Sequence, residues 1–254
     1  MKLKDRVAIV TAAGKEGAMG RGIAGVLVAE GAHVVLNSST PANVDAACEE
    51  VKAQGGRAIG VAGSAADRDV CRELVATAMA EYGRLDIVVC NAGINASTDF
   101  EKISEDRARE VVEVNFFGTF NLCQEALDPL KVRGGSIVVI TSVHAESAYA
   151  GSSIYNFTKA GLNQFAATLG LELAKYRIRV NALEPGWVRT PGSTGGMSLE
   201  EIAHAEQHTI PWGRMGQPAD IGRAVAFLAS DDADYVTASM MRVDGGMIAA
   251  ESHA

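Results

Sequence analysis

Short apolar runs alternate with longer stretches of helical periodicity along nearly the whole chain. Residues 7–11, 33–37, 57–61, 85–90, 136–141 and 179–184 are rich in aliphatic and β-branched residues, and Met240-Met241-Arg242-Val243 adds a seventh such run. Runs that are apolar without alternation predict strands covered on both faces. Between them, helices are expected over 20–30, 40–54, 67–82, 104–131 and 152–175. Gly31 ends the first, Pro41 occupies the favoured first position of the second, Gly55-Gly56 ends it, and Ser104 is placed to cap the fourth. Strands separated by helices predict an α/β fold: a doubly wound, seven-stranded parallel sheet flanked by helices. No linker or low-complexity segment divides the chain, so residues 1–254 are expected to form one domain. Such a sheet binds ligands beyond the carboxyl ends of its strands, at the point where the strand order reverses.

Composition narrows the partners. The chain has 254 residues, 48% hydrophobic and 21% charged, with a net charge of −8. That balance suits a folded core and disfavours disorder. A net negative charge disfavours nucleic acid or an anionic membrane as partner. No run is long enough to span a bilayer, and the N-terminus has no signal-peptide apolar region. Cys48, Cys71, Cys90 and Cys123 are scattered without metal-ligand spacing, as expected of reduced thiols in a cytoplasmic protein.

Candidate chemistry clusters at predicted strand ends. Tyr155 and Lys159 are four residues apart, hence on one helical face. A neighbouring ammonium favours phenolate; moving a phenol from about 10 to about 7 takes roughly 4 kcal/mol. Ser142 ends the fifth strand, 13 positions before Tyr155. Asn115 lies inside the predicted helix 104–131, where asparagine is a mediocre helix former. Asn91-Ala92-Gly93 ends the fourth strand, and Pro185-Gly186-Trp187-Val188-Arg189-Thr190 follows the sixth. After the first strand, Thr11-Ala12-Ala13-Gly14-Lys15-Glu16-Gly17-Ala18-Met19-Gly20 forms a glycine-rich turn opening onto a helix, a phosphate-binding arrangement.

Together with Gly213-Arg214-Met215-Gly216-Gln217-Pro218 and Val243-Asp244-Gly245-Gly246, these motifs closely resemble the short-chain dehydrogenase/reductase family, from Val7 to Gly246. The resemblance implies a Rossmann-type domain, a nicotinamide cofactor and hydride exchange with a carbonyl or secondary alcohol. It implies Tyr155 as acid/base, Lys159 as its pKa-lowering neighbour and ribose ligand, and Ser142 as holder of the substrate oxygen. Asn115 would fix a helix kink and a water of a proton relay. The cofactor contacts it implies are Gly14, Lys15, Met19, Gly20, Ser38, Ser39, Ser64, Ala65, Asn91, Ala92, Gly93, Tyr155, Lys159, Pro185, Val188 and Thr190.

Three departures from the family pattern stand out: Ala12 and Ala18 replace glycines in a phosphate loop two residues longer, Ser64 replaces an aspartate, and Ala238 replaces a glycine. A methyl at Ala18 is tolerable if φ is negative. NAD-preferring members carry an acidic residue after the second strand. Asn37-Ser38-Ser39-Thr40 has none, which favours NADP(H) over NAD(H), with Lys15 as a source of positive charge.

The segment 190–212 is expected to cover the substrate, with His144, Trp187, Met197 and Trp212 as candidate substrate contacts. His204 and His208 have i, i+4 spacing but no third ligand, so no metal is expected. The stripe Leu162, Phe165, Ala166, Leu169 and Leu173 reads as core and, by resemblance, partly as the interface of a homotetramer. Three functions compete: a reductase or dehydrogenase of a small ketone, sugar or alcohol; a 3-oxoacyl-carrier-protein reductase using Lys131, Arg133, Lys175 and Arg177 as a docking patch; and a nucleotide sensor or scaffold without turnover.

Overall fold

The computed structural model describes residues 1–251. Its strands are β1 (Val7–Val10), β2 (His33–Ser38), β3 (Ala58–Ala62), β4 (Ile87–Cys90), β5 (Gly135–Ile140), β6 (Ile178–Pro185) and β7 (Met240–Val243). They form one sheet in the order β3-β2-β1-β4-β5-β6-β7, every pair parallel. The order reverses between β1 and β4, and there the carboxyl ends open a crevice.

The helices are α1 (Met19–Ala29), α2 (Pro41–Ala53), α3 (Arg68–Tyr82), α4 (Glu105–Val112), α5 (Gly118–Glu125), α6 (Leu127–Arg133), α7 (Ser153–Leu173), α8 (Leu199–His208), α9 (Pro218–Ala229) and α10 (Met247–Glu251). Successive strand residues alternate between two cores. Ala8, Val10, Val34, Leu36 and Val138 pack with α1, α2 and α9. Val7, Ile9, Val35, Val88 and Ile137 pack with α3, α5, α6 and α7. The unbroken apolar strands thus serve two faces at once.

The helix expected over 104–131 is a correction: it is three helices. Ser104 caps α4 by accepting from the Arg107 N–H. A π-helical turn, Glu113–Phe117, then interrupts the α geometry, with the Gly118 N–H donating to the Glu113 carbonyl. A second break at Ala126 starts α6, which carries Pro129 and its missing N–H. The cause of the first break lies in the site.

Candidate active site

The crevice is an open cleft of about 600 Å³ above β1, β4, β5 and β6. Ser142 follows β5 and Tyr155 sits in the first turn of α7, and both line it. Ser142 lies close enough to the Tyr155 phenol for its side chain to lower the phenol's pKa by hydrogen bonding. The Ser142 oxygen also accepts from the His144 N–H at 3.2 Å, which fixes its rotamer. Lys159, one turn after Tyr155, is 3% exposed. Its Nζ lies 5.5 Å from the Tyr155 ring centre and donates to the Ile140 carbonyl at 2.8 Å.

This arrangement corrects the expectation of a lysine-depressed phenol. Burial pushes the Tyr155 phenol up, and the Ser142 hydrogen bond only partly opposes it. Burial also brings Lys159 down from 10.5 to about 8. The ammonium is turned to a carbonyl at the strand end, so the phenol is held protonated. The site at rest can donate a proton; releasing phenolate needs further positive charge nearby.

Asn115 is fully buried inside the π turn. Its Oδ1 accepts from the Ile94 N–H at 2.8 Å, while its Nδ2 donates to the Ile94 carbonyl at 3.0 Å and to Thr158 Oγ1 at 3.0 Å. Thr158 in turn donates to the Tyr155 carbonyl at 2.8 Å. One amide therefore ties the loop after β4 to the first turns of α7. Reaching both requires the extra residue that the π turn supplies, a frequent device at functional sites. Thr11, not singled out from the sequence, clamps the same loop by accepting from the N–H groups of Asn91 and Ala92, both at 2.9 Å.

The phosphate loop leads into α1 at Ala18, which has φ −74° and makes no side-chain cap, so its methyl is unstrained. The first-turn N–H groups of α1 are uncapped, and no acidic residue lies there. Thr40 at the start of α2 likewise makes no side-chain cap, and that first turn also lacks acidic residues. Uncapped helix N-termini are anion sites. Gly20 is required by packing: a Cβ there would lie 2.4 Å from the Ala12 carbonyl oxygen and 2.6 Å from Asn91 Nδ2. Arg21, on α1, donates to the Gly14 carbonyl at 2.7 Å and steadies the long loop. These residues fit a dinucleotide with its phosphates over α1.

Among the sequence candidates, Met19, Gly93, Pro185, Val188, Thr190, His144 and Trp187 line the cleft. Gly14 packs on Ser38, which is buried, while Lys15, Ser39 and Ser64 are exposed. Ala65 is buried, and its carbonyl accepts from the Cys71 thiol at 3.3 Å. Asn37 does not offer its amide to a ligand: Oδ1 accepts from Ala12 N–H at 3.4 Å, and Nδ2 donates to the Val61 and Gly63 carbonyls at 3.2 and 3.0 Å.

Two substrate candidates, Met197 and Trp212, are not among the residues that line the cleft. Met197 packs with Ile202, Ala205, Ile210 and Met215 beneath α8. Trp212 is 73% exposed and borders a separate hollow with Arg214 and Asp220. His204 and His208 stack on each other at 4.2 Å, and His208 Nδ1 contacts the His204 carbonyl. Among the described residues no group of three potential ligands could hold a metal. Asn95, Tyr149, Ser193, Thr209 and Met247 also line the cleft. Their loops and α10 have no periodicity that a sequence pattern could register.

The docking patch expected for an acyl carrier is also corrected. Lys131 and Arg133 precede β5, and Lys175 and Arg177 precede β6. In a parallel sheet all four lie at the amino ends of the strands. The cleft is at the carboxyl ends, about 20 Å away for a six-residue strand.

Known proteins place this geometry. A family model described as enoyl-(acyl carrier protein) reductase matches residues 12–248. An uncharacterised oxidoreductase of Methylorubrum extorquens is 40% identical over 97% of this chain and 99% of its own. The 3-oxoacyl-[acyl-carrier-protein] reductase FabG of Thermotoga maritima is 32% identical, covering 98% of this chain and 100% of its own. A crystal structure described as a short-chain alcohol dehydrogenase from Sinorhizobium meliloti superposes with a TM-score of 0.91 at 31% identity, covering 98% of each chain. Agreement of this extent, from the phosphate loop to α10, makes the chain a member of the short-chain dehydrogenase/reductase family, an NAD(P)-dependent oxidoreductase acting on CH–OH groups.

Proposed function

We propose that the chain is an NADP-preferring enzyme that interconverts a small, polar secondary alcohol and its ketone, with Tyr155 as acid/base. The observation that carries this reading is the hydroxyl pair of Ser142 and Tyr155 at the cleft floor, with Lys159 buried one turn behind. A bound nicotinamide would supply the hydride in reduction and accept it in oxidation. Tyr155 delivers its proton to the substrate oxygen in reduction and removes it in oxidation. Ser142 donates a hydrogen bond to that oxygen as negative charge develops. Lys159 would hold the ribose, while Asn115 fixes the loop and helix that carry the pair.

The cofactor would rest its phosphates on α1, with Gly14, Met19 and Gly20 beneath them. Asn91, Ala92 and Gly93 would line its path, and Pro185, Val188 and Thr190 would hold the carboxamide. Ser64 and Ala65 would border the adenine. NADP preference rests on Ser38, Ser39, exposed Lys15 and the uncapped α2 N-terminus, which together favour a 2′-phosphate. Lys15→Ala should lower the NADPH/NADH ratio of kcat/KM; an unchanged ratio removes Lys15 from the reading.

The segment 190–212 would cover the substrate. The ring cluster Phe116, Phe117, Phe120 and Phe165, together with exposed Phe157 on α7, suits burial in a homotetramer. Four free, buried thiols suit a cytoplasmic setting.

A second reading, 3-oxoacyl-carrier-protein reduction, is favoured by FabG relatives at 32–36% identity. The absence of the four expected cations from the cleft side weighs against it. An L-rhamnose 1-dehydrogenase (NAD(P)(+)) of Azotobacter vinelandii is as close, at 35%. A nicotinamide absorbance panel with acetoacetyl thioesters, simple ketones and sugars separates these readings. Turnover confined to thioesters would replace the first with the second. Cofactor binding without any turnover would overturn both.

A further inference from the structure

Arg21 is the one charged residue of α1, and its side chain is only 12% exposed. Its guanidinium joins three segments. Nη1 donates to the Gly14 carbonyl at 2.7 Å, in the phosphate loop. Nη2 donates to the Ala46 carbonyl at 3.0 Å, and Nε and Nη2 donate to Glu50 Oε2 at 3.0 and 2.6 Å. Ala46 and Glu50 both belong to α2. A guanidinium carries five N–H groups, and these four bonds engage four of them. Its charge is paired with the Glu50 carboxylate. Arg21 is thus committed to the protein, and it serves a ligand through what it holds rather than by touching it.

What it holds is Gly14, pressed against the end of β2 and the start of α2. A Cβ on Gly14 would lie 2.5 Å from Ser38 Cβ, 2.6 Å from Ser38 Oγ and 3.0 Å from the Asn43 carbonyl carbon, so only glycine allows this approach. Ser38 is buried, and its Oγ accepts from the Thr40 N–H at 3.3 Å. Loop, strand end and helix start therefore form one packed corner. Lys15 follows directly and is exposed, as are Glu16 and Gly17 at the loop tip. Successive Cα atoms are about 3.8 Å apart, so Lys15 leaves the chain at this corner, and its four-carbon stem is long enough to span it.

Resting on the proposed NADP preference, we infer that Arg21 is the positioning residue behind it: by drawing Gly14 onto Ser38, it sets Lys15 where a phosphate on the adenosine ribose is received. Released from Arg21, the lengthened loop would carry Lys15 away from Ser38 and Ser39. A ribose 2′-phosphate then loses a charge-assisted bond. NADH carries no group there and loses little. Arg21 and Lys15 are two parts of one device, so removing either disables it.

The test is the ratio of the dissociation constants of NADH and NADPH, titrated by nicotinamide fluorescence without turnover. Arg21→Met keeps a helix-forming stem without donors and should lower the preference for NADPH by roughly tenfold, as Lys15→Ala should. The two losses should not multiply: adding Lys15→Ala to Arg21→Met should lower the ratio by less than about twofold more. Arg21→Lys keeps the charge but cannot reach all three partners, so its ratio should fall between those of the parent and Arg21→Met; it stands in for Arg21→Met should that variant not fold. A merely structural role would weaken both cofactors alike. A ratio unmoved in Arg21→Met, or in Arg21→Lys where it stands in, overturns the inference, and so do losses that multiply in the double variant. A wild type that binds NADH as tightly as NADPH overturns the proposed NADP preference beneath it instead.

Discussion

Ala12 is held at φ +52°, in the left-handed region that glycine favours. Its surroundings fix this conformation. The N–H donates to Asn37 Oδ1 at 3.4 Å, and its carbonyl oxygen is packed where a Cβ on Gly20 would come within 2.4 Å. The Asn91 amide also reaches that carbonyl. Relaxing φ would therefore disturb β2, the loop after β4 and the start of α1 together. An L-residue with a Cβ costs about 1–2 kcal/mol in this region. Replacing it by glycine removes that strain but returns about 0.5–1 kcal/mol of backbone freedom to the unfolded chain. Ala12→Gly should thus stabilise by about 0.5–1 kcal/mol, or roughly 1–4 °C in Tm for a chain of this length. Ala238, at φ +57°, should respond alike. Ala18→Gly is the control: at φ −74° there is no strain to relieve, so it should leave stability unchanged or lower it. Thermal unfolding by circular dichroism, without cofactor and at fixed protein concentration, reads all three. A lowered Tm in Ala12→Gly, or equal shifts in Ala12→Gly and Ala18→Gly, would refute the reasoning.

Two further predictions concern buried charge. Burial sets Lys159 at about 8 in the folded protein against 10.5 unperturbed. Its unfolded form therefore binds a proton first as pH falls through that window, and the folded state bears a penalty at pH 7 of roughly 3 kcal/mol. Lys159→Met, after the lost bond to Ile140, should raise the Tm of the cofactor-free protein at pH 7 while abolishing turnover; the gain should shrink as pH approaches 10.5. A lower Tm at pH 7 would contradict this.

Glu184 is 1% exposed, and among the described residues its Oε2 has no hydrogen-bond partner, with Arg242 Nε 4.0 Å away. Burial pushes its carboxyl up, the Asn163 amide pulls it down, nearby Glu146 raises it further and Arg242 lowers it. Stability is therefore lost as pH rises from the unfolded carboxylate value, about 4.3, through the raised folded value. Glu184→Gln should be more stable than the parent at pH 8 and indistinguishable at about pH 4 in denaturant titrations. An advantage confined to acid pH would reverse the assignment.

How much of this was legible in the sequence follows physical lines. The strands were legible because burial on both faces writes continuous apolar runs, as in Val7–Val10 and Ile87–Cys90. The cleft's place was legible because strand order fixes where ligands sit. Ser142, Tyr155 and Lys159 stood out by residue type and spacing, and the fold brings them together.

The π turn was not legible. It arises because Asn115 reaches Ile94, a contact 21 residues distant that no local pattern encodes. The phenol's direction was misjudged because spacing gives proximity to Lys159 but not the carbonyl toward which the amine turns. The place of Asn37 in the stretch after β2 could not reveal that Val61, Gly63 and Ala12 already use its amide. The side chains of Trp212 and Met197 were not legible either, because a covering segment can carry a ring outward or beneath itself equally well. Tyr149, Thr209 and Met247 enter the cleft from irregular connections and a short terminal helix, where only tertiary structure decides.

The measurement closest to the central claim is pre-steady-state hydride transfer in Tyr155→Phe, followed by nicotinamide absorbance, alongside titration of NADPH binding. The account predicts intact binding and a rate lower by about 10²–10⁴. A rate close to that of the parent, with binding intact, would contradict a protonated phenol beside Ser142 as the group that moves the proton.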